Sequence, residues 1–224
     1  MTKEISRLLF IAALLTIFFP CMAEALTIKT TRKVVILDPG HGGSDPGITS
    51  TTGILEKQIV LKLAQMTAEL LNDQYHPLLS RTTDTRLSAT DRTAFANQNK
   101  ADLFLSLHLH AKRNRSFFFY FGTPGTTKAT SNTQWRTQGL EYQHKSKQAT
   151  TLFSKTFQQL DKEARPLSGP APVIPLEGLQ MTAILTEPFS ISDIPGTAAD
   201  QQAFLAPYAK MLTRCIEAYF ENKF

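Results

Sequence analysis

Two kinds of segment alternate along the chain: short runs of apolar, often β-branched residues, and longer stretches whose apolar residues return every three or four positions. The first kind predicts strands over 33–38, 76–80, 102–107, 116–121 and 182–186. The second predicts helices. From Lys57 to Asn72, residues Ile59, Val60, Leu63, Met66, Leu70 and Leu71 fall on one helical face, and weaker patterns fit 88–99, 146–161 and 200–221. This alternation is the mark of an α/β layer fold, here a single twisted, largely parallel sheet of about six strands with helices on both faces. Leu103 to Leu107 is nearly all apolar, as expected of a central strand covered on both sides. The stretches 122–145, polar and rich in threonine, and 165–178, rich in proline and glycine, read as loops near the site.

The N-terminus changes the picture of where this domain works. Lys3 and Arg7 precede an apolar run from Leu8 to Phe19, and Ala23-Glu24-Ala25 supplies a small-x-small cleavage pattern. Residues 1–25 are therefore expected to be a signal peptide, with export to the bacterial periplasm. The run is short of the ~20 residues that cross a bilayer, so no stable membrane insertion is expected after cleavage. Phe18, Phe19 and Pro20 ahead of Cys21 are not the small residues of a lipoprotein signal. Residues 26–224 then form one catalytic domain of 199 residues (224 − 25), long enough for a sizeable core.

That domain keeps the whole formal charge of +5, since Lys3 and Arg7 cancel Glu4 and Glu24. Mild basicity suits an acidic polymer such as cell wall, but an ordinary basic surface explains it equally well, and without longer blocks of like charge a nucleic-acid partner is not expected. Cys215 alone remains, which precludes an intramolecular disulfide and leaves packing, or packing with a metal, to supply stability.

Candidate chemistry gathers just past the strand ends. Val34-Val35-Ile36-Leu37 leads into Asp38-Pro39-Gly40-His41-Gly42-Gly43-Ser44-Asp45-Pro46-Gly47, a loop whose glycines and prolines hold a histidine at a strand exit. His108 closes the strand that begins at Asp102, Glu187 follows Thr182-Ala183-Ile184-Leu185-Thr186, and Glu56 opens the first long helix. In an open α/β sheet the carboxyl ends of the parallel strands form the ligand crevice, so these distant residues converge there. Two histidines and a glutamate suit catalytic zinc with a fourth position left for water. Each residue also has a plainer role: Glu56 as a favourable charge on a helix dipole, His108 as a hydrogen-bonded strand end. Glu187 fits such a role poorly, because an unpaired carboxylate leaving a buried strand is costly.

On these residues the chain resembles the zinc-dependent N-acetylmuramoyl-L-alanine amidases of bacterial cell walls. The resemblance runs from the Asp-Pro-Gly-His-Gly-Gly motif through Gly53-Ile54-Leu55-Glu56-Lys57, Ser80-Arg81-Thr82-Thr83-Asp84, Leu87 with Arg92, Ala96-Asn97 and the strand ending at His108, to Ile184-Leu185-Thr186-Glu187-Pro188-Phe189. It implies that His41, Glu56 and His108 bind zinc and that Glu187 is the catalytic acid–base in cleaving the amide between N-acetylmuramic acid and L-alanine of peptidoglycan. It implies peptidoglycan as partner and a monomer, with an activator protein left open. Division, remodelling and recycling of the wall are all compatible roles.

The chain departs from that pattern in two places. His110 stands where the family usually has asparagine, and Leu176-Glu177-Gly178-Leu179-Gln180-Met181-Thr182 lacks the arginine and proline common there. His110 is expected to support the metal site from behind or to touch substrate, in preference to ligating the metal. Ser44 and Asp45 are candidates for substrate contact, although turn chemistry accounts for them equally well. Arg81, Asp84 and Arg92 read as scaffold, and Phe117 to Phe121 as a core strand with an aromatic sugar platform open on its other side. With no helical plug expected between His108 and Glu187, the chain reads as a bare catalytic domain. The rival readings are a zinc peptidase acting on the stem peptide and a non-catalytic wall-binding derivative.

Overall fold

The structure is a computed structural model that describes residues 31–113, 115–122 and 139–222. Six strands, β1 (Val34–Pro39), β2 (His76–Leu79), β3 (Leu103–Leu107), β4 (Ser116–Phe121), β5 (Pro166–Ala171) and β6 (Thr182–Glu187), form one sheet in the order β2-β1-β3-β6-β4-β5. β2, β1, β3 and β6 run parallel; β4 turns back antiparallel to β6, and β5 follows β4 in parallel. Four helices complete the unit: α1 (Glu56–Leu71), α2 (Ala89–Gln98), α3 (Gln143–Leu160) and α4 (Ala198–Glu221).

Alternation along the strands divides the core into two layers. Val35, Leu37, Leu103, Leu105, Leu107 and Ile184 point to one face, where they meet α1, α3 and α4. Ile36, Phe104, Ala183 and Leu185 point to the other, covered by α2 and the segment around Leu176 to Met181. Helices thus lie on both faces, as the sequence pattern predicts, but three of the four share one side. Each central strand is apolar on both faces because each face is covered.

Two local expectations are corrected. The stretch 165–178 is not simply a loop: it contains β5 and a short 3-10 turn at Ile174–Leu176. Pro166 and Pro170 disguise the strand, yet they are tolerated because β5 is the last strand of the sheet among the described residues. Leu70, assigned to the apolar face of α1, is 47% exposed, while Ala64 and Thr67 join Ile59, Val60, Leu63 and Leu71 in the buried stripe. Of the stretch 122–145, residues 123–138 lie outside the described residues, as do residues 1–25.

Candidate active site

β1, β3 and β6 are neighbours with parallel direction, so their carboxyl ends lie side by side. Pro39 pairs with Leu107 and Leu107 with Thr186, which sets the exits bearing His41, His108 and Glu187 level with one another. Backbone bonds continue the ladder past the strands, from Gly40 N–H to Leu107 O and from His108 N–H to Thr186 O. Glu56 arrives from a different direction. Leu55 gives α1 no side-chain cap, and the site loop itself caps the helix: the N–H groups of Glu56 and Lys57 donate to the carbonyls of Ile48 and Pro46.

The loop after β1 is held by charge buried beneath it. Asp38 is fully buried and accepts from Arg92 Nη1 and Ser80 Oγ, each at 2.5 Å, and from Ser106 Oγ at 2.9 Å. Arg92 also donates to the carbonyls of Pro39 (2.9 Å) and His41 (2.7 Å), while Arg81 reaches those of Pro39 (2.9 Å) and Gly40 (2.8 Å). Two guanidinium groups thus satisfy three successive carbonyls. The clamp holds His41 at φ +59°, a left-handed conformation uncommon outside glycine. Asp84 accepts from Gly43 N–H and pairs with Lys57, which fixes the far side of the loop.

Within this frame three side chains meet. His41 Nε2 lies 3.1 Å from Glu56 Oε1, and His108 Nδ1 lies 3.2 Å from both. A tetrahedral zinc ion with bonds of ~2.0–2.1 Å separates its ligands by about 3.3 Å, so this triangle of two nitrogens and one oxygen matches a metal's coordination face. Among the described residues, His41, Glu56 and His108 are the group of histidine, cysteine and acidic side chains with such geometry. Asp45 Oδ2, 2.9 Å from His41 Nδ1, accepts the ring proton and leaves Nε2 as the free donor atom. Glu56 is 1% exposed, and its oxygens also accept from the N–H groups of Leu109 and Ile48.

Glycine makes the close approach of these rings feasible. A Cβ on Gly40 would fall 2.3 Å from His108 Cε1, and one on Gly47 would fall 2.6 Å from both Glu56 Oε2 and His41 Cδ2. Electrostatics agree with the geometry. Burial opposes the charge of Glu56, but hydrogen bonds from His108 and His41 outweigh it and hold the carboxyl well below the usual range. Burial lowers the pKa of His41, yet the hydrogen bond and charge of Glu56, helped by Asp45, leave it raised overall.

Glu187 stands apart. It ends β6 half-buried, on the same face as Ala183 and Leu185, with no hydrogen-bond partner among the described residues. Burial, and then repulsion from Glu56, push its carboxyl up to about 7. His110 does not join the metal triangle: its Nδ1 accepts from Lys112 N–H and its Nε2–H donates to Arg115 O, both at 3.0 Å. Ser44 is exposed, with Arg86 3.4 Å from its hydroxyl. Asp38 has no role assigned from sequence, although a carboxylate at the end of an apolar strand is itself a signal that charge must wait beneath it.

Known proteins resemble this chain in sequence and fold. A family model described as N-acetylmuramoyl-L-alanine amidase matches residues 35–212. The sporulation-specific N-acetylmuramoyl-L-alanine amidase of Bacillus subtilis is 42% identical over 100 residues, covering 42% of this chain and 39% of that protein. The match thus spans about two fifths of the relative's length. Among solved structures, an N-acetylmuramoyl-L-alanine amidase from Clostridium difficile 630 superposes with a TM-score of 0.67 at 26% identity, covering 87% of this chain and all of that one. The CwlD amidase of Clostridioides difficile, solved in complex with the GerS lipoprotein, shares the fold with a TM-score of 0.66 at 19% identity over 84% of this chain and 98% of that one. With strand ends, converging side chains and a family match over most of its length, the chain belongs to the N-acetylmuramoyl-L-alanine amidase family.

Proposed function

We propose that this protein is a zinc-dependent amidase that cleaves the bond between N-acetylmuramic acid and L-alanine in peptidoglycan and releases stem peptides from glycan. The observation that carries the reading is the triangle of His41 Nε2, Glu56 Oε1 and His108 Nδ1 at 3.1–3.2 Å, at the same sheet end as Glu187, which has no hydrogen-bond partner among the described residues. These three residues would hold zinc, with Asp45 fixing the tautomer of His41. When bound, zinc supplies Lewis-acid polarisation of the scissile carbonyl and acidification of water. Glu187, with its carboxyl near 7, is suited to accept the proton of the attacking water at neutral pH and to hand it to the leaving amine.

Residues 1–25 would direct export to the periplasm and 26–224 act there as a monomeric catalytic domain, without stable membrane insertion. A protein partner that activates it is compatible with the complex known for the CwlD amidase. The deciding experiment is mass analysis of muropeptides after sacculi are incubated with zinc-loaded protein, beside Glu187→Ala and a chelated sample. The expected result is glycan freed of intact stem peptides in the first sample alone. Shortened peptides would instead identify a peptidase, and binding without release a wall-binding derivative.

A further inference from the structure

The strand that turns back against β6 begins beside the candidate general base. Phe117 pairs with Glu187 across the antiparallel β4–β6 ladder. Directly opposed residues project from the same face with Cβ atoms ~4.5–5.5 Å apart, so the ring and the carboxylate are neighbours. Phe117 is half-buried, and the opposite side of β4 is already committed to the core through Phe118 and Tyr120.

The ring is braced on two sides. It stacks on Phe119, with centroids 5.8 Å apart and planes at 11°, and it meets the His110 ring in a T-shaped contact at 4.8 Å and 90°. His110 is held in place, because both ring nitrogens are bonded to backbone, that of Lys112 and that of Arg115, and its carbonyl accepts from Ile191 N–H. Ser116 Oγ donates to Pro188 O, tying the start of β4 to the residue after Glu187. An aromatic surface is thereby fixed next to a carboxylate that accepts no hydrogen bond among the described residues.

We infer that Phe117 is the apolar wall of the subsite for the residue on the leaving-amine side of the scissile amide, and that His110 is the residue that positions it. This rests on the amidase reading above. To protonate the leaving nitrogen, Glu187 must come within hydrogen-bond reach of it. The Cα bonded to that nitrogen, and the side chain it carries, then lie against whatever surface adjoins Glu187. That surface is Phe117. A small aliphatic side chain fills the space between substrate backbone and ring, whereas glycine leaves it empty.

The test compares two synthetic N-acetylmuramoyl-peptides that differ only in L-alanine or glycine at the first peptide position, with kcat and KM measured separately. Wild-type protein is expected to favour the alanine substrate in kcat/KM by about 10-fold, the lower end of what one methyl group achieves in an apolar pocket. Phe117→Ala should bring the two substrates within about threefold while zinc content is unchanged, and Phe117→Leu should restore part of the preference. His110→Ala should shrink the preference without altering zinc content. Phe117→Ala that retains the full preference overturns the inference, as does wild-type protein that cleaves both substrates equally. If Phe117→Ala does not fold, an unaltered preference in Phe117→Leu and His110→Ala overturns it. Wild-type protein that cleaves neither amide but shortens stem peptides in sacculi overturns the amidase reading itself, and this inference with it.

Discussion

Replacing Arg92 by methionine isolates the buried charge beneath the site. The side chain of Arg92 is 6% exposed and that of Asp38 fully buried, so neither charge has water to fall back on. The substitution leaves Asp38 with two hydroxyl donors, Ser80 and Ser106, and removes the guanidinium bonded to the carbonyl of His41. Breaking a buried ion pair by removing one partner costs about 3–5 kcal/mol, chiefly because the other charge stays buried and uncompensated. For a domain of ~150–250 residues each kcal/mol lowers Tm by about 2–4 °C, so the expected fall is about 6–20 °C. The assay is thermal and urea unfolding of metal-free protein, with Asp38→Leu and the double variant completing a cycle. The double variant should recover about 2 kcal/mol or more relative to the sum of the singles, because no unpaired charge remains. Loosening His41 should also weaken zinc binding about 10-fold or more, in line with other residues that orient metal ligands. An Arg92→Met protein within about 1 kcal/mol of wild type, or a strictly additive cycle, would refute the assignment of the pair as the loop's anchor.

Other expectations follow from the same geometry. Gly40→Ala would drive a methyl group into the His108 ring and should reduce zinc affinity at least about 10-fold, read by competition with a chromogenic chelator. In metal-free protein, the stability that charged His41 contributes is fully present below 6.5 and is lost as pH rises through its raised pKa. Glu187 acts in the same direction, with stability present below 4.5 and lost through about 7, so urea midpoints in chelator should fall between pH 5 and pH 8. Zinc should reverse that trend, because binding requires neutral imidazoles and strengthens as they lose protons. Saturating zinc at ~1,000 Kd should add about 4 kcal/mol, and an unchanged Tm on zinc addition would argue against the triangle as a metal site. Cys215, buried and with its thiol pushed up to about 12, should not react with a disulfide reagent until the protein is unfolded.

The parts of this molecule that could be read from sequence are those whose physical signal is local. The strand β1 announces itself by an unbroken apolar run, and α1 by an apolar stripe that begins one turn after Glu56. The arrival of His41, His108 and Glu187 at one sheet end follows from topology alone, once the strands preceding them are taken as parallel neighbours. β5 was illegible because its identity depends on position: Pro166, Gly169 and Pro170 argue against a strand everywhere except at a free edge. The reversed direction of β4 has no local signature either, since an alternating strand reads the same whichever way it runs.

That reversal is what gives the site its asymmetry. Had β4 run parallel to β6, its first residues would lie at the opposite end of the sheet, and Phe117 could not face Glu187. Because it runs back, the aromatic side of β4 begins level with the carboxylate, and the half-burial that follows helps to lift Glu187 towards neutrality. On the other flank, Glu56 is held ionised by two histidines only a few ångströms apart. Two carboxylates of one chemical type are thereby driven apart, one held as an anion and the other lifted towards neutrality. The separation depends on where each backbone places its side chain: Glu56 at the start of a helix inside a hydrogen-bonded loop, Glu187 at the end of a strand beside a hydrocarbon ring. Exchanging the two environments would hold Glu187 ionised, unable to take up a proton near neutral pH, and would lift Glu56 towards its neutral form.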